Sequence, residues 1–104
     1  MSDRLADFWR QQGEWSQATF GPDIERGPIG PLKHLAKEVQ ECLADPWNME
    51  EKIDCLFLVI DAARRSGASY QQFMDAAFAK LEVNKAREWQ QSKGDSEPVE
   101  HVRS

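Results

Sequence analysis

HLAKEVQECLADPWNMEEKIDCLFLVI, residues 34–60, decides the fold. Leu35, Ala36, Val39, Cys42 and Leu43, with Leu32 just upstream, recur at helical spacing and form one apolar stripe. Asp45-Pro46 ends that helix, since the residue before a proline is pushed out of helical geometry. Asn48 opens the next helix as an N-cap, and Glu51 stands three residues later in the capping-box position. From Ile53 to Ile60 the chain is apolar almost all round, interrupted by Asp54, which predicts the central helix of the domain. One short connection joins the two helices, so they run antiparallel.

Working outward, Pro31 suits the first turn of a helix over 31–44. The central helix continues to Arg65 or Ser66, with Gly67 as its left-handed stop. Ser69 and Gln72 then cap a further helix, in which Tyr70, Phe73, Ala77, Leu81 and Asn84 keep a helical period towards Trp89. Near the start, Leu5, Phe8 and Trp9 share a face of a helix over residues 2–12, with Gly13 as its stop. Four glycines and three prolines across residues 13–31 predict a long irregular connection, and its Trp15 and Phe20 pack on the core or line a site. Residues 91–104 are polar and patternless and read as a flexible tail. No strand alternation appears. The fold class is therefore all-α, with four helices in a single domain over residues 1–90.

Composition narrows the function. With 104 residues the chain can bury one modest core, and a larger interior requires self-association. A net charge of −5, from 13 basic and 18 acidic residues, argues against a partner such as a nucleic acid polymer. It permits a small anionic ligand held by a few cations and a metal. No stretch approaches the roughly 18 apolar residues of a membrane span, and the first residues lack a signal-peptide core, so the expected location is cytoplasmic. Cys42 and Cys55 sit inside apolar helical patterns and read as free core thiols, without a CxxC or Cys/His cluster for zinc.

Four carboxylates carry the chemistry. Glu38 and Glu41 are spaced i, i+3 on one helix, and Glu51 and Asp54 are spaced likewise on the next. Antiparallel helices present all four to a shared cleft, where hard divalent ions such as Mg²⁺ find oxygen ligands and join them to substrate phosphates. Such ions lower the pKa of a bound water and stabilise a departing oxygen. A Glu outside full metal coordination is available as general base. Competing readings exist for three of them. Glu38 and Glu41 fit a solvated face with a Lys37–Glu41 pair, and Glu51 fits the cap. Asp54 is the least ambiguous, because Ile53, Leu56, Phe57 and Leu58 surround it. Asp61, two turns on, is too far for the same ion and suits an ion pair between helices. Lys80, Asn84 and Arg87 lie at i, i+4, i+7 and suit phosphate oxygens and a sugar or base, against the alternative of an exposed basic helix end. Arg64 and Arg65 read as charges that favour a helix C-terminus, His34 as surface or ion-paired with substrate contact as the alternative, and Trp15 and Phe20 as core aromatics or base-stacking groups.

The order KEVQE, EKID and KLEVNKAREW resembles the MazG-like superfamily of all-α nucleoside triphosphate pyrophosphohydrolases, whose signature is ExxE followed on the next helix by ExxD. TFGPDIERGPIGPLKHLAKE and the later KxxxNxxRxW are similar to the small dATP/dGTP diphosphohydrolases, many of them from bacteriophages. The likeness spans about residues 8–90. Many members have a double Glu at the first motif where this chain has Lys37, and the stretch between Glu41 and Glu51 is short for the superfamily. The resemblance implies a four-helix MazG-like bundle completed by oligomerisation, as a homodimer or homotetramer. It implies Mg²⁺- or Mn²⁺-dependent hydrolysis of a nucleoside triphosphate, expected to be a purine dNTP, to the monophosphate and pyrophosphate. Glu38, Glu41, Glu51 and Asp54 would bind metal, with Glu38 or Glu41 at the reacting water. Lys80, Asn84, Arg87, His34 and Trp15 would contact substrate. The alternative from another class is a non-catalytic helical adaptor that retains the fold and oligomerises.

Overall fold

The computed structural model describes residues 3–89, 98–99 and 101–102. It contains four helices, as expected: α1 (Arg4–Phe20), α2 (Ile29–Ala44), α3 (Met49–Arg65) and α4 (Tyr70–Ala86). Two compact units divide the chain, residues 1–71 and 72–104.

In the first unit, α1 is longer than expected. Asp3 caps it, its Oδ1 accepting from the Leu5 and Ala6 amides at 3.1 Å each. The Tyr70 hydroxyl donates to Asp3 Oδ2 at 2.7 Å, which lowers the Asp3 pKa and raises that of Tyr70. The helix runs through Gly13 to Phe20, which corrects the reading of residues 13–20 as irregular. The remaining glycines and the prolines of that stretch fall after Phe20, so they leave this segment free to be helical. Gly13 is not a stop but a site of close approach. A Cβ there would lie 3.2 Å from Cδ and Nε of Arg64. The actual stop is Gly21, at φ +105°, a backbone that favours glycine. Pro22 follows, then a 3₁₀ turn at Asp23–Glu25.

Residues 45–48 join α2 to α3, and the hairpin expected from residues 34–60 is present. Asn48 is the N-cap, with Oδ1 accepting from the Glu50 amide at 2.9 Å. Its own amide donates to the Asp45 carbonyl at 3.1 Å. That donor is therefore satisfied without the Glu51 side chain, and the expected capping box does not form. Across the hairpin, Cys42 Sγ and Cys55 Sγ are 3.3 Å apart. Both thiols are free, as expected, but half-buried rather than core. The Cys42 hydrogen bond, burial and nearby carboxylates push Cys55 up to about 11, so it stays a thiol at neutral pH.

The interior is small. Among the described residues, the buried apolar side chains are Trp9, Ile60 and Ala62. Phe8 and Phe57 join α1 to α3 with ring centroids 5.5 Å apart. The expected all-round burial of α3 is not found: Ile53 and Val59 are 38% and 37% exposed. The α2 stripe splits in two. Leu35 and Cys42 are half-buried, while Leu32, Ala36, Val39 and Leu43 are exposed along one row.

The second unit holds most of α4 and a short antiparallel ladder. Glu88 and Trp89 pair with Val102 and His101. The helix expected to reach Trp89 ends at Ala86, where the Arg87 amide bonds back to the Asn84 carbonyl at 3.3 Å and the chain enters the ladder. Most of the tail expected over 91–104 lies outside the described residues; two of its positions, His101 and Val102, form that second strand.

Candidate metal centre and the cleft beside it

The hairpin brings carboxylates from both helices together. Glu38, Glu41 and Glu51 each offer an oxygen, all within 4.8 Å of one another. Glu38 Oε2 and Glu51 Oε2 are inaccessible to solvent and have no hydrogen-bond donor. A buried carboxylate oxygen without a donor is costly, and three acids at this separation add repulsion. Glu38 is raised in pKa by hydrogen bonding to Glu41, by burial and by the charges of Glu41 and Asp54. Glu51 is raised by burial first, then by Glu41 and Asp54. His34 lies beside this cluster, its Nε2 3.2 Å from Glu38 Oε1. A hard divalent cation fits this donor set, since it would occupy both orphaned oxygens and cancel the repulsion.

Asp54 has a different setting from the one expected. It is exposed, not stranded in a core, and stands outside the tight triplet. It borders the adjoining cleft and adds negative potential at Glu38 and Glu51. The acids hardest to explain as ordinary surface are Glu38 and Glu51. Glu51 is released for this role because Asp45 satisfies Asn48.

Next to the acids is a cleft of about 430 Å³ between α1, the loop at Arg26, α2 and α3. Trp15, Phe20 and Phe57 supply its aromatic wall. Trp15 meets Phe20 edge-on at 5.6 Å and 89°, and Phe57 at 6.0 Å. Half of Trp15, 51%, is nevertheless exposed, so its ring is available to a ligand. His34, Glu38 and Asp54 border the cleft, and so do Asp61, Arg65 and Arg26, further along α3 and in the loop after α1.

Beneath the loop lies a second charged cluster. Arg64 donates through Nε and Nη2 to Asp23 at 2.8 and 3.3 Å, through Nη2 to Asp61 at 2.8 Å, and through Nη1 to Gln12 Oε1. Gln12 Nε2 donates to Asp61 Oδ1 at 2.9 Å. Burial lowers the Arg64 pKa, but the two carboxylates outweigh it and the net shift is upward. Asp61 is thus ion-paired as expected, though within its own helix, and it reaches α1 through Gln12. Arg64 ties the loop to the helices, a structural role broader than the expected complement to a helix end.

Of the residues proposed for substrate, Trp15 and His34 border the cleft. Lys80 and Asn84 share a side of α4 at the predicted spacing and Arg87 follows its last residue; all three belong to the second unit. The sequence reading missed Arg26, Phe57 and Arg65. One signal for Arg65 was present: it falls on the face of α3 that carries Asp54 and Asp61, at spacings of seven and four.

The sequence of residues 8–104 matches the family model for dATP/dGTP pyrophosphohydrolase. The chain belongs to that family. It is 47% identical over 94 residues to the Eaa protein of Salmonella phage P22, a match spanning 90% of this chain and 28% of the Eaa protein. The fold is similar to that of a cyanophage S-2L MazG-like pyrophosphohydrolase bound to dGDP and three catalytic Mn²⁺ ions per active site, at a TM-score of 0.72 and 25% identity, covering 98% of this chain and 100% of that one. The fold is the one that the resemblance implied.

Proposed function

We propose that the chain hydrolyses a purine deoxynucleoside triphosphate, dATP or dGTP, with water to the monophosphate and pyrophosphate. The observation that carries this is the Glu38–Glu41–Glu51 triplet with two inaccessible, donorless oxygens. Glu38, Glu41, Glu51 and Asp54 hold Mg²⁺ or Mn²⁺, which when bound polarises phosphoryl oxygens and activates water. Glu38 or Glu41 takes the proton from the attacking water. His34 orients Glu38 through their contact. Trp15 stacks on the base, and for Lys80, Asn84 and Arg87 of the second unit we propose, from their residue types and spacing, a role in binding phosphates and sugar. The S-2L neighbour bound to dGDP and Mn²⁺ supports both the nucleotide and the metal.

We also propose that a second copy covers the exposed row of Leu32, Val39 and Leu43, making a homodimer or a homotetramer built from such pairs. A single subunit exposes these at 48%, 41% and 68%, and chains this small gain stability by burying such rows. The reaction is placed in the cytoplasm, where nucleotides and Mg²⁺ occur together. Among the described residues no helix is long and apolar enough to cross a membrane.

Pyrophosphate release from a panel of dNTPs, with Mg²⁺, with Mn²⁺ and with EDTA, tests the reaction. Turnover that survives EDTA sinks it. Stabilisation by nucleotide only when a divalent ion is present excludes the adaptor reading, which predicts no such dependence.

A further inference from the structure

Arg65 is a feature of the cleft that neither the metal centre nor the fold uses fully. Its side chain is only 8% exposed. Its Nε is inaccessible and donates to no acceptor in the protein. The nearest carboxylate oxygen, Asp23 Oδ1, is 3.8 Å from it, an ion-pair distance but too long for a hydrogen bond. Its neighbour Arg64 already donates to Asp23, Asp61 and Gln12. The contrast is informative: the charge of Arg65 is balanced while its donors are left over. Asp23 and Asp61 balance the charges of Arg64 and Arg65, which leaves Arg26 as the further cation at the cleft and leaves Arg65 with donors, not charge, to satisfy. What fits is a neutral acceptor, and a planar one suits a guanidinium fork.

Position supports the same conclusion. On α3, Asp61 and Arg65 follow Asp54 by seven and eleven residues, about 10.5 and 16.5 Å along the axis and within roughly 20° of the same face. Phosphates held at the acids would therefore leave the base end of a nucleotide, not another phosphate, near Arg65. Phe57 stands between Asp54 and Asp61 on the same helix and meets Trp15, which meets Phe20. An arginine fork is matched by guanine, which presents O6 and N7 as adjacent acceptors; adenine presents N7 beside an amino donor that an arginine repels.

We propose that Arg65 is the specificity-determining residue of this cleft, donating to O6 and N7 of a 6-oxopurine and so favouring guanine over adenine. The assignment rests on the nucleotide reading of the cleft given above. The test uses calorimetric binding of dGDP and dADP in Mn²⁺, which needs no hydrolysis, alongside turnover of dGTP and dATP. Wild type should bind dGDP on the order of tenfold more tightly than dADP, the discrimination of one bidentate pair. Arg65→Gln should bring that ratio to within about threefold, chiefly by weakening dGDP. Arg65→Lys keeps the charge beside Asp23, so it guards against a folding defect, and should give the same loss because it lacks the fork. Deoxyinosine diphosphate, with O6 and N7 but no 2-amino group, should bind wild type as dGDP does. Equal wild-type affinities, a preference for dADP, or equal losses for both ligands in the Lys variant overturn the assignment. Discrimination by binding without any turnover would reject the proposed reaction and leave Arg65 standing. No binding of either ligand rejects both.

Discussion

The two charged clusters of the first unit both gather carboxylates and reach opposite states. Around Arg64, two aspartates meet two arginines and a glutamine, and the Arg64 donors are matched to acceptors. Around Glu38, acids meet acids, with two oxygens unserved and pKa values driven upward. Arg64 and its partners are satisfied inside the chain, with Arg65 Nε alone left over, so the first cluster works as structure. The second is incomplete, so it works as a receptor for charge from outside. Acid count alone would not separate them; satisfaction of the hydrogen-bonding groups does.

The sharpest way to break the comparison is to remove Arg64. Arg64→Ala leaves Asp23 and Asp61 facing each other without their shared donor, at a side chain 9% exposed. Breaking a buried pair in this way costs about 3–5 kcal/mol. Urea unfolding should show a loss of that order, and one below about 1 kcal/mol would mean the cluster is ordinary surface.

Neutralising the metal cluster should do the reverse to the metal-free fold. Glu51→Gln removes a repelling charge, so unfolding in EDTA should show stability unchanged or raised. Divalent-ion affinity and turnover should both fall, by more than about a hundredfold, since even residues that only support ligands cost tenfold to a hundredfold. A variant that keeps its metal affinity removes Glu51 from the site.

The pH dependence follows from the same asymmetry. Glu38 and Glu51 have folded pKa values raised above the ordinary 4.5. Their contribution to stability is therefore fully present below the ordinary value and is lost as pH rises through the raised folded values. Without metal, Tm should fall across that window; with Mg²⁺ in excess the fall should flatten, because the ion favours the charged carboxylates. A metal-free Tm that rises steadily through the same window contradicts the repulsion.

These tests also mark what was legible in the sequence. The α2–α3 hairpin and its acids were readable, because helix periodicity, Asp45-Pro46 and the Asn48 cap are local signals. Asp54 reads as buried because its neighbours along the helix are apolar, yet in a chain whose interior is this small those neighbours leave it exposed. Glu51 was underrated, because the Asp45 carbonyl that displaces it from the cap is a matter of loop geometry. Arg64 and its partner Asp23 are 41 residues apart, and nothing in either segment announces the pairing.

Gly13 shows how far that pairing reaches, and it offers the smallest effect. In mid-helix an exchange of glycine for alanine ordinarily gains about 1 kcal/mol. Here the new Cβ would press on Arg64 Cδ and Nε at 3.2 Å, tighter than side chains normally accept. Arg64 is held from the other side by Asp23, Asp61 and Gln12 and has no room to yield. Gly13→Ala should therefore destabilise the wild type slightly, or at best fail to show the usual gain. In the Arg64→Ala background the obstruction is gone, and the same substitution should recover about 1 kcal/mol. A Gly13→Ala gain equal in both backgrounds would mean that α1 carries this glycine for a reason other than the arginine packed against it.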